Sequence, residues 1–185
     1  MCIEIENYKQ HDFFNYSDYN QIDTDTEDLI NTLLNNPEYN LKLNKRRVPV
    51  VEIAKVLGFN IYTTKFNDYN IKATIGISNQ LINKYKSDKV IILSNEYTDE
   101  EILFSLCHEL AHYIYDSDSS NEYSHTYRIN DIELSAIRFA DALLMPLTSF
   151  KEAYTELSHN INDLELLIRA LSDTLMRPKL QYKDV

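Results

Sequence analysis

Glycine is nearly absent from the 185-residue chain, which has only Gly58 and Gly76. That scarcity excludes the glycine-rich phosphate cradles, both the P-loop and the dinucleotide-binding turn. Cysteine is equally scarce, with Cys2 and Cys107 and no C-x-x-C pair. A disulfide framework and a thiolate zinc knuckle are therefore excluded as well. Basic charge is in deficit: 18 Lys+Arg stand against 29 Asp+Glu, a formal net charge of −11. General nucleic-acid binders present a net basic face, so no direct nucleic-acid binding is expected. The one basic cluster, Lys45-Arg46-Arg47, reads as a solvated turn. No apolar run approaches the roughly 18 residues of a membrane-spanning helix. The N-terminal segment also lacks the apolar stretch of about 7–15 residues that marks a signal peptide. The expectation is a cytoplasmic protein with no membrane contact.

What is present is a globular composition, 44% hydrophobic and 25% charged. A chain of this length buries about 70% of its unfolded surface and needs no covalent staples. Residues 1–22 read as a polar, aromatic arm, and 23–185 as a single domain. Thr24 and Glu27 sit at capping-box spacing before an apolar stripe, predicting a helix to Asn35 that Pro37 stops. Pro49 to Leu57 predicts a second helix, ended by Gly58. Phe59–Phe66, Ala73–Ser78 and Lys89–Ser94 carry β chemistry, which suggests a small antiparallel or mixed sheet of about three strands. From Thr98 the chain reads as helical. A Thr98/Glu101 capping box opens a helix to Tyr115, and a polar loop follows over 116–130. Further helices are expected over Asp131–Met145, Ser149–Leu157 (capped by Ser149 and Glu152) and Asn162–Leu171, with a last piece over Asp173–Met176. The fold class is α+β, with a mainly helical C-terminal half.

The chemistry lies in His108-Glu109-Leu110-Ala111-His112, an H-E-x-x-H pattern inside a predicted helix. Residues i and i+4 stand one above the other on a helix, so both imidazoles face the same way and can fill two corners of a zinc tetrahedron. Glu109 is turned about 100° from His108. From there it serves as general base toward a metal-activated water rather than as a ligand.

A third protein ligand is needed, and no histidine follows at the H-E-x-x-H-x-x-G-x-x-H spacing. Glu133, at the start of the next predicted helix, is the leading candidate. Ala136, Ala140 and Leu144 share its face, and small residues there allow two helices to approach closely. With Asn130 as N-cap, Glu133 would instead be the third-position glutamate of a helix cap. His125 and Asp131 are competing donors. Tyr113, Tyr123, His125, Tyr127 and Arg138 are candidates for stabilising an oxyanion.

The pair of motifs, His108-Glu109-Leu110-Ala111-His112-Tyr113 and then Glu133-x-x-Ala136-x-x-Phe139-Ala140-x-x-Leu143-Leu144-Met145-Pro146, resembles the ImmA/IrrE family of metallopeptidases. Val50-x-Glu52-Ile53-Ala54-x-x-Leu57-Gly58 and the strand Val90–Leu93 resemble it too, so the likeness spans about residues 48–177. Ala111 stands where the family usually has glycine, and Ser135 where it often has an acidic residue. The resemblance implies a zincin-like core, Zn2+ held by His108, His112 and Glu133, and Glu109 as the base of a zinc endopeptidase. It also implies a protein substrate, a helix-turn-helix repressor of a mobile element or stress regulon, so that the protein would act as an anti-repressor. Larger relatives carry a C-terminal sensor-like domain, for which the 185 residues are not expected to leave room.

Two other readings compete. One is a non-catalytic interaction module of the same fold that sequesters a repressor or toxin; the intact Glu109 argues against it. The other is a small DNA-binding protein with 162–177 as a helix-turn-helix, against which the acidic charge weighs. A β run, 73–78 or 89–94, is expected to pair with an extended substrate, although Val90–Leu93 reads better as a buried core strand.

Overall fold

The computed structural model describes residues 19–44, 46–115, 125–175 and 183–184. Two helices, α1 (Tyr19–Asn35) and α2 (Val50–Val56), precede the strands β1 (Asn60–Thr64) and β2 (Ala73–Ile77). A short 3-10 turn and α3 (Ile82–Tyr85) lead to β3 (Lys89–Ser94). Then come α4 (Asp99–Tyr115), α5 (His125–Leu144), α6 (Leu147–Ser158), α7 (Leu164–Leu175) and a two-residue β4 (Lys183–Asp184). The fold is α+β. The sheet runs β2-β3-β1-β4, with β1 parallel to β3 and to β4, and β2 antiparallel to β3. The expected three strands form its body, and β4 adds a short margin.

The central strand is β3, whose Val90, Ile91 and Leu93 are buried. Ile91 and Leu93 pack with Leu106, Cys107, Leu110 and Ile114 of α4 into one core that also takes in Leu29, Ile30 and Leu33 of α1 and Phe139 and Leu143 of α5. Gly58 closes α2 at φ +92°, with Phe59 N–H bonded to Ala54 O and Gly58 N–H to Lys55 O. This is the left-handed helix stop that glycine tolerates best. The α4 capping box forms as expected: Glu101 N–H reaches Thr98 Oγ1 at 3.3 Å, and Thr98 N–H reaches Glu101 Oε2 at 3.2 Å.

Several boundaries differ from the sequence reading. The first helix begins at Tyr19 rather than Thr24, so Ile22 joins the core. Thr24 and Glu27 lie inside it. Glu27 caps a different helix, accepting from Thr148 N–H at 2.8 Å and from its hydroxyl at 3.3 Å. Those groups belong to the first turn of α6, which starts at Leu147 after Pro146 and has no side-chain cap of its own. Ser149 and Glu152, expected to cap that helix, therefore lie within it; Ser149 is buried, and Glu152 pairs with Arg46 at 3.5 Å. The helix expected from Asp131 already runs from His125, so residues 125–130 are not loop. The two pieces expected over 162–176 form one continuous α7, opened by Asp163, whose carboxylate accepts from Leu166 N–H at 2.9 Å. A helix-turn-helix over 162–177 is thereby overturned, because no turn interrupts the helix where one was needed. Residues 1–18 of the expected arm lie outside the described residues.

The hairpin of α6 and α7 has its own small core, in which Ala153, Leu167, Leu171 and Leu175 pack with Phe150, Leu157 and Ile161. The basic turn fastens it to the body. Arg46 pairs with Glu156 at 2.6 Å. Arg47 Nε donates to Thr174 O at 2.8 Å, and its Nη2 donates to Asp173 O. A guanidinium on the last carbonyls of a helix satisfies acceptors that have no partner within it and complements its dipole. Arg47→Ala is expected to lower stability by about 1–2 kcal/mol, measured by urea denaturation. Arg46→Ala, which removes only exposed ion pairs, should change the midpoint much less.

Candidate metal centre

The site is built where α4, α5 and β2 meet. His108 and His112 are one helical turn apart on α4, and their Nε2 atoms approach to 3.1 Å with the rings crossed at 81°. From α5, Glu133 brings Oε2 to 3.0 Å from His108 Nε2 and Oε1 to 3.4 Å from His112 Nε2. Among the described residues this trio is the one cluster of His, Cys, Asp and Glu whose donor atoms converge closely enough to hold a metal ion. A tetrahedral ion with bonds of about 2.0–2.1 Å sets its ligand atoms about 3.3 Å apart. The two imidazole nitrogens, 3.1 Å apart, fit two corners of such a tetrahedron, and the Glu133 carboxylate lies within reach of a third. The histidine side chains are 20% and 19% exposed and Glu133 is 47% exposed, so solvent reaches the cluster.

The α5 boundary removes one alternative for Glu133. Residues 125–130 are helical, so Asn130 is not an N-cap and Glu133 is not the third-position glutamate of a cap. It lies in the third turn of α5. Ala136 and Ala140 on α5 and Ala111 on α4 are all buried in the core. With no side chain beyond Cβ, they let the two helices come close enough for a glutamate to cross between them.

Protonation favours ligation. Burial is the main force lowering the His108 pKa, and the neighbouring His112 lowers it further, against the opposing pull of Glu133. The neutral imidazole that binds a metal is therefore the favoured form. His108 Nδ1 is buried and has no hydrogen-bond partner among the described residues. Glu109 is shifted the other way. Burial raises its carboxyl pKa most, and Glu133 adds to this, while His112 and a hydrogen bond from the Ile75 backbone lower it. Glu109 thus lies against β2, the outer strand of the sheet, as a carboxylate made more basic by its surroundings.

The oxyanion candidates fare differently. The Tyr113 hydroxyl accepts from Lys89 Nζ at 2.7 Å, and its ring meets Phe59 edge-on. Arg138 is held by Asp23 of α1, with Nε donating to Oδ1 at 2.7 Å and Nη2 to Oδ2. Both serve packing. The side chains of Tyr123, His125, Tyr127 and Asp131 lie outside the described residues.

A cleft of about 610 Å³ opens from His108 and Glu109 between α4, α5 and β2, lined also by Ile71, Ala73, Phe104, Ser105 and Ile137. The sequence reading did not single out these wall residues. Phe104 and Ser105 precede His108 by four and three positions and Ile137 follows Glu133 by four, so the helical period that pairs the ligands would have found them. Lys72 on the rim, joined to Glu101 at 2.8 Å, had no local signal, and Glu101 carried one only as a helix cap.

The raised Glu109 pKa gives a pH test. A buried carboxyl with a raised pKa contributes stability while protonated and loses it as pH rises through the folded-state value. In chelator-stripped protein, Glu109→Gln should therefore raise the thermal midpoint at pH 7–8. The gain should shrink as pH falls toward the ordinary glutamate range, about 4.3. Equal midpoints at both pH values would mean that burial does not strain this carboxylate.

The family model Peptidase_M78, described as the IrrE N-terminal-like domain, matches residues 54–174, more than half of the chain. No curated protein matches the sequence. Among solved structures, a Mycobacterium tuberculosis transcriptional regulator superposes with a TM-score of 0.54 at 18% identity, over 94% of this chain and 51% of that one. The likeness is one of fold, and the chain spans about half the length of that neighbour.

Proposed function

The chain belongs to the Peptidase_M78 family, and from that membership we propose that it is a zinc-dependent endopeptidase that cleaves a helix-turn-helix repressor of a mobile element or stress regulon. The observation that carries this reading is the convergence of His108, His112 and Glu133 beside a buried Glu109. Two imidazoles and one carboxylate suit zinc with an open position. A purely structural ion would have no use for an adjacent, strained carboxylate. This weighs against the interaction-module alternative.

Zinc bound at this trio would lower the pKa of a water toward about 7 and polarise the scissile carbonyl. Glu109 would take the proton of the attacking water and pass it to the leaving amine. A carboxylate with a raised pKa is better matched to that double duty near neutrality. The Ile75 N–H that bonds Glu109 fixes the direction of its carboxylate. As the outer strand of the sheet, β2 has an edge not taken by another described strand, and an extended substrate can add to it by backbone hydrogen bonds. The central, buried β3 cannot play that part. A fold neighbour named as a transcriptional regulator supports seeking the substrate among repressors. No described helix is long and apolar enough to cross a membrane, and a cytoplasmic location suits this substrate.

The test is elemental analysis of untagged protein after zinc addition and dialysis. We expect about one zinc per wild-type chain, loss of it in Glu133→Ala, and its retention in Glu109→Gln. With a candidate repressor, Glu109→Gln should keep binding while cleavage falls about 10²–10⁴-fold. A wild-type protein that takes up no zinc would refute the hydrolase reading. Zinc bound equally by Glu133→Ala would refute the ligand assignment.

A further inference from the structure

The two apolar cores do not merge everywhere they meet. Leu103 of α4 and Leu144 of α5 border the seam between them, and so does Leu175, which belongs to the core of the α6–α7 hairpin. A cavity of about 610 Å³ lies at this seam, closed on its other side by the connection from α1 to α2 and by the start of α2. Leu41, Val48, Val50 and Val51 line it from there, and all four are buried. The cavity is separate from the metal centre, because Leu103 is turned about 140° around α4 from His108. Its outer wall is held firmly. Asn44 and Arg47 exchange backbone hydrogen bonds at 2.9 and 3.0 Å. Asn40 and Arg46 sit at φ +48° and +72°, a conformation that residues other than glycine keep only where their surroundings enforce it. Arg46 is fixed by Glu152 and Glu156, and Arg47 by the Asp173 and Thr174 carbonyls. The cavity is therefore preformed. Its charged lining groups are Lys42, Arg47 and Lys55, three cations against the one carboxylate of Glu52, in a chain of net charge −11. Lys42 and Lys55 are exposed, and no described residue pairs with either ammonium group.

We infer that this seam cavity binds a small monocarboxylic acid with an aliphatic tail, its carboxylate at Lys42 and Lys55 and its tail over Leu103, Leu144 and Leu175. The volume falls in the range of ligand pockets, which favour the junctions between separately packed units and combine apolar walls with a few polar groups. The floor offers only hydrocarbon. A peptide segment would bring backbone N–H and C=O groups onto it, and these cost free energy without partners. A phosphate is matched best by a guanidinium fork, and the Arg47 guanidinium is bonded to carbonyls of α7. Two ammonium point charges opposed by Glu52 suit a single negative charge. The occupant would touch α4 and α5, the helices that carry His108, His112 and Glu133. The inference itself stands independently of the metal centre.

The test titrates the full chain, with leucine and valine methyl groups labelled for NMR, with hexanoate, octanoate and the neutral octanamide. Octanoate should bind roughly tenfold tighter than hexanoate, from two further CH2 groups buried. The methyl shifts should concentrate on Leu103, Leu144 and Leu175 and spare the exposed Leu164 and Leu166 of α7. The double variant Lys42→Ser/Lys55→Ser, at exposed positions with little risk to folding, should weaken octanoate about tenfold and leave octanamide unchanged. Glu52→Gln should tighten octanoate, a gain that a damaged fold would not produce. The inference is overturned if no carboxylate binds, if octanamide binds as tightly as octanoate, or if the shifts fall on Leu164 and Leu166 instead. It is overturned equally if octanoate binds the lysine and Glu52 variants as it binds the wild type.

Discussion

The close approach of α4 and α5 is the constraint on which the site depends. A glutamate can bridge to imidazoles on a neighbouring helix only if the two backbones are near. Ala111, Ala136 and Ala140, all buried, allow this. A larger side chain at any of them would push the helices apart and carry Glu133 off the histidines, since protein interiors have little slack to absorb added volume. The rest of the molecule holds the pair in place. On one flank, α1 packs on α5 and its Asp23 grips Arg138. On the other, β2 and β3 pack on α4. The mixed sheet is small, but it sets the height at which α4 lies and places β2 beside Glu109.

Much of this was legible in the residues because it is local. The spacing of His108 and His112, the Thr98/Glu101 cap, the Gly58 stop and the β character of Lys89–Ser94 depend on neighbours a few positions away. Periodicity and capping rules describe such relations directly. Glu133 was legible in a weaker sense. Its helical face of small residues pointed to close packing, but the same residue also fitted a helix cap. The choice turned on where α5 begins. Residues 125–130 are polar and read as loop, yet they continue the helix.

The misread features share a different cause. Glu27 caps α6 across 121 positions, and Arg47 caps the end of α7 across 127. In both cases the side chain meets the end of a helix distant in sequence, which its own neighbourhood does not reveal. Ser149 likewise looks like a cap but is buried inside the first turn of α6. Capping demand is fixed by the helix end, whereas the side chain that meets it can come from anywhere the tertiary structure brings near. Patterns within one window cannot reveal such partners.

The same locality explains the electrostatics of the centre. Burial and the neighbouring His112 disfavour protonation of His108, and one carboxylate on the facing helix supplies the negative charge that a divalent ion requires. Glu133 keeps 47% of its side chain in solvent, which spares much of the desolvation cost that a fully buried anion would incur. Glu109 has no such relief. It is held as a more basic carboxylate by burial and by the nearness of Glu133, and the Ile75 N–H and His112 only partly offset this. Two glutamates in one small site are thus set apart by exposure: the solvated one is suited to ligation, and the buried one to taking a proton.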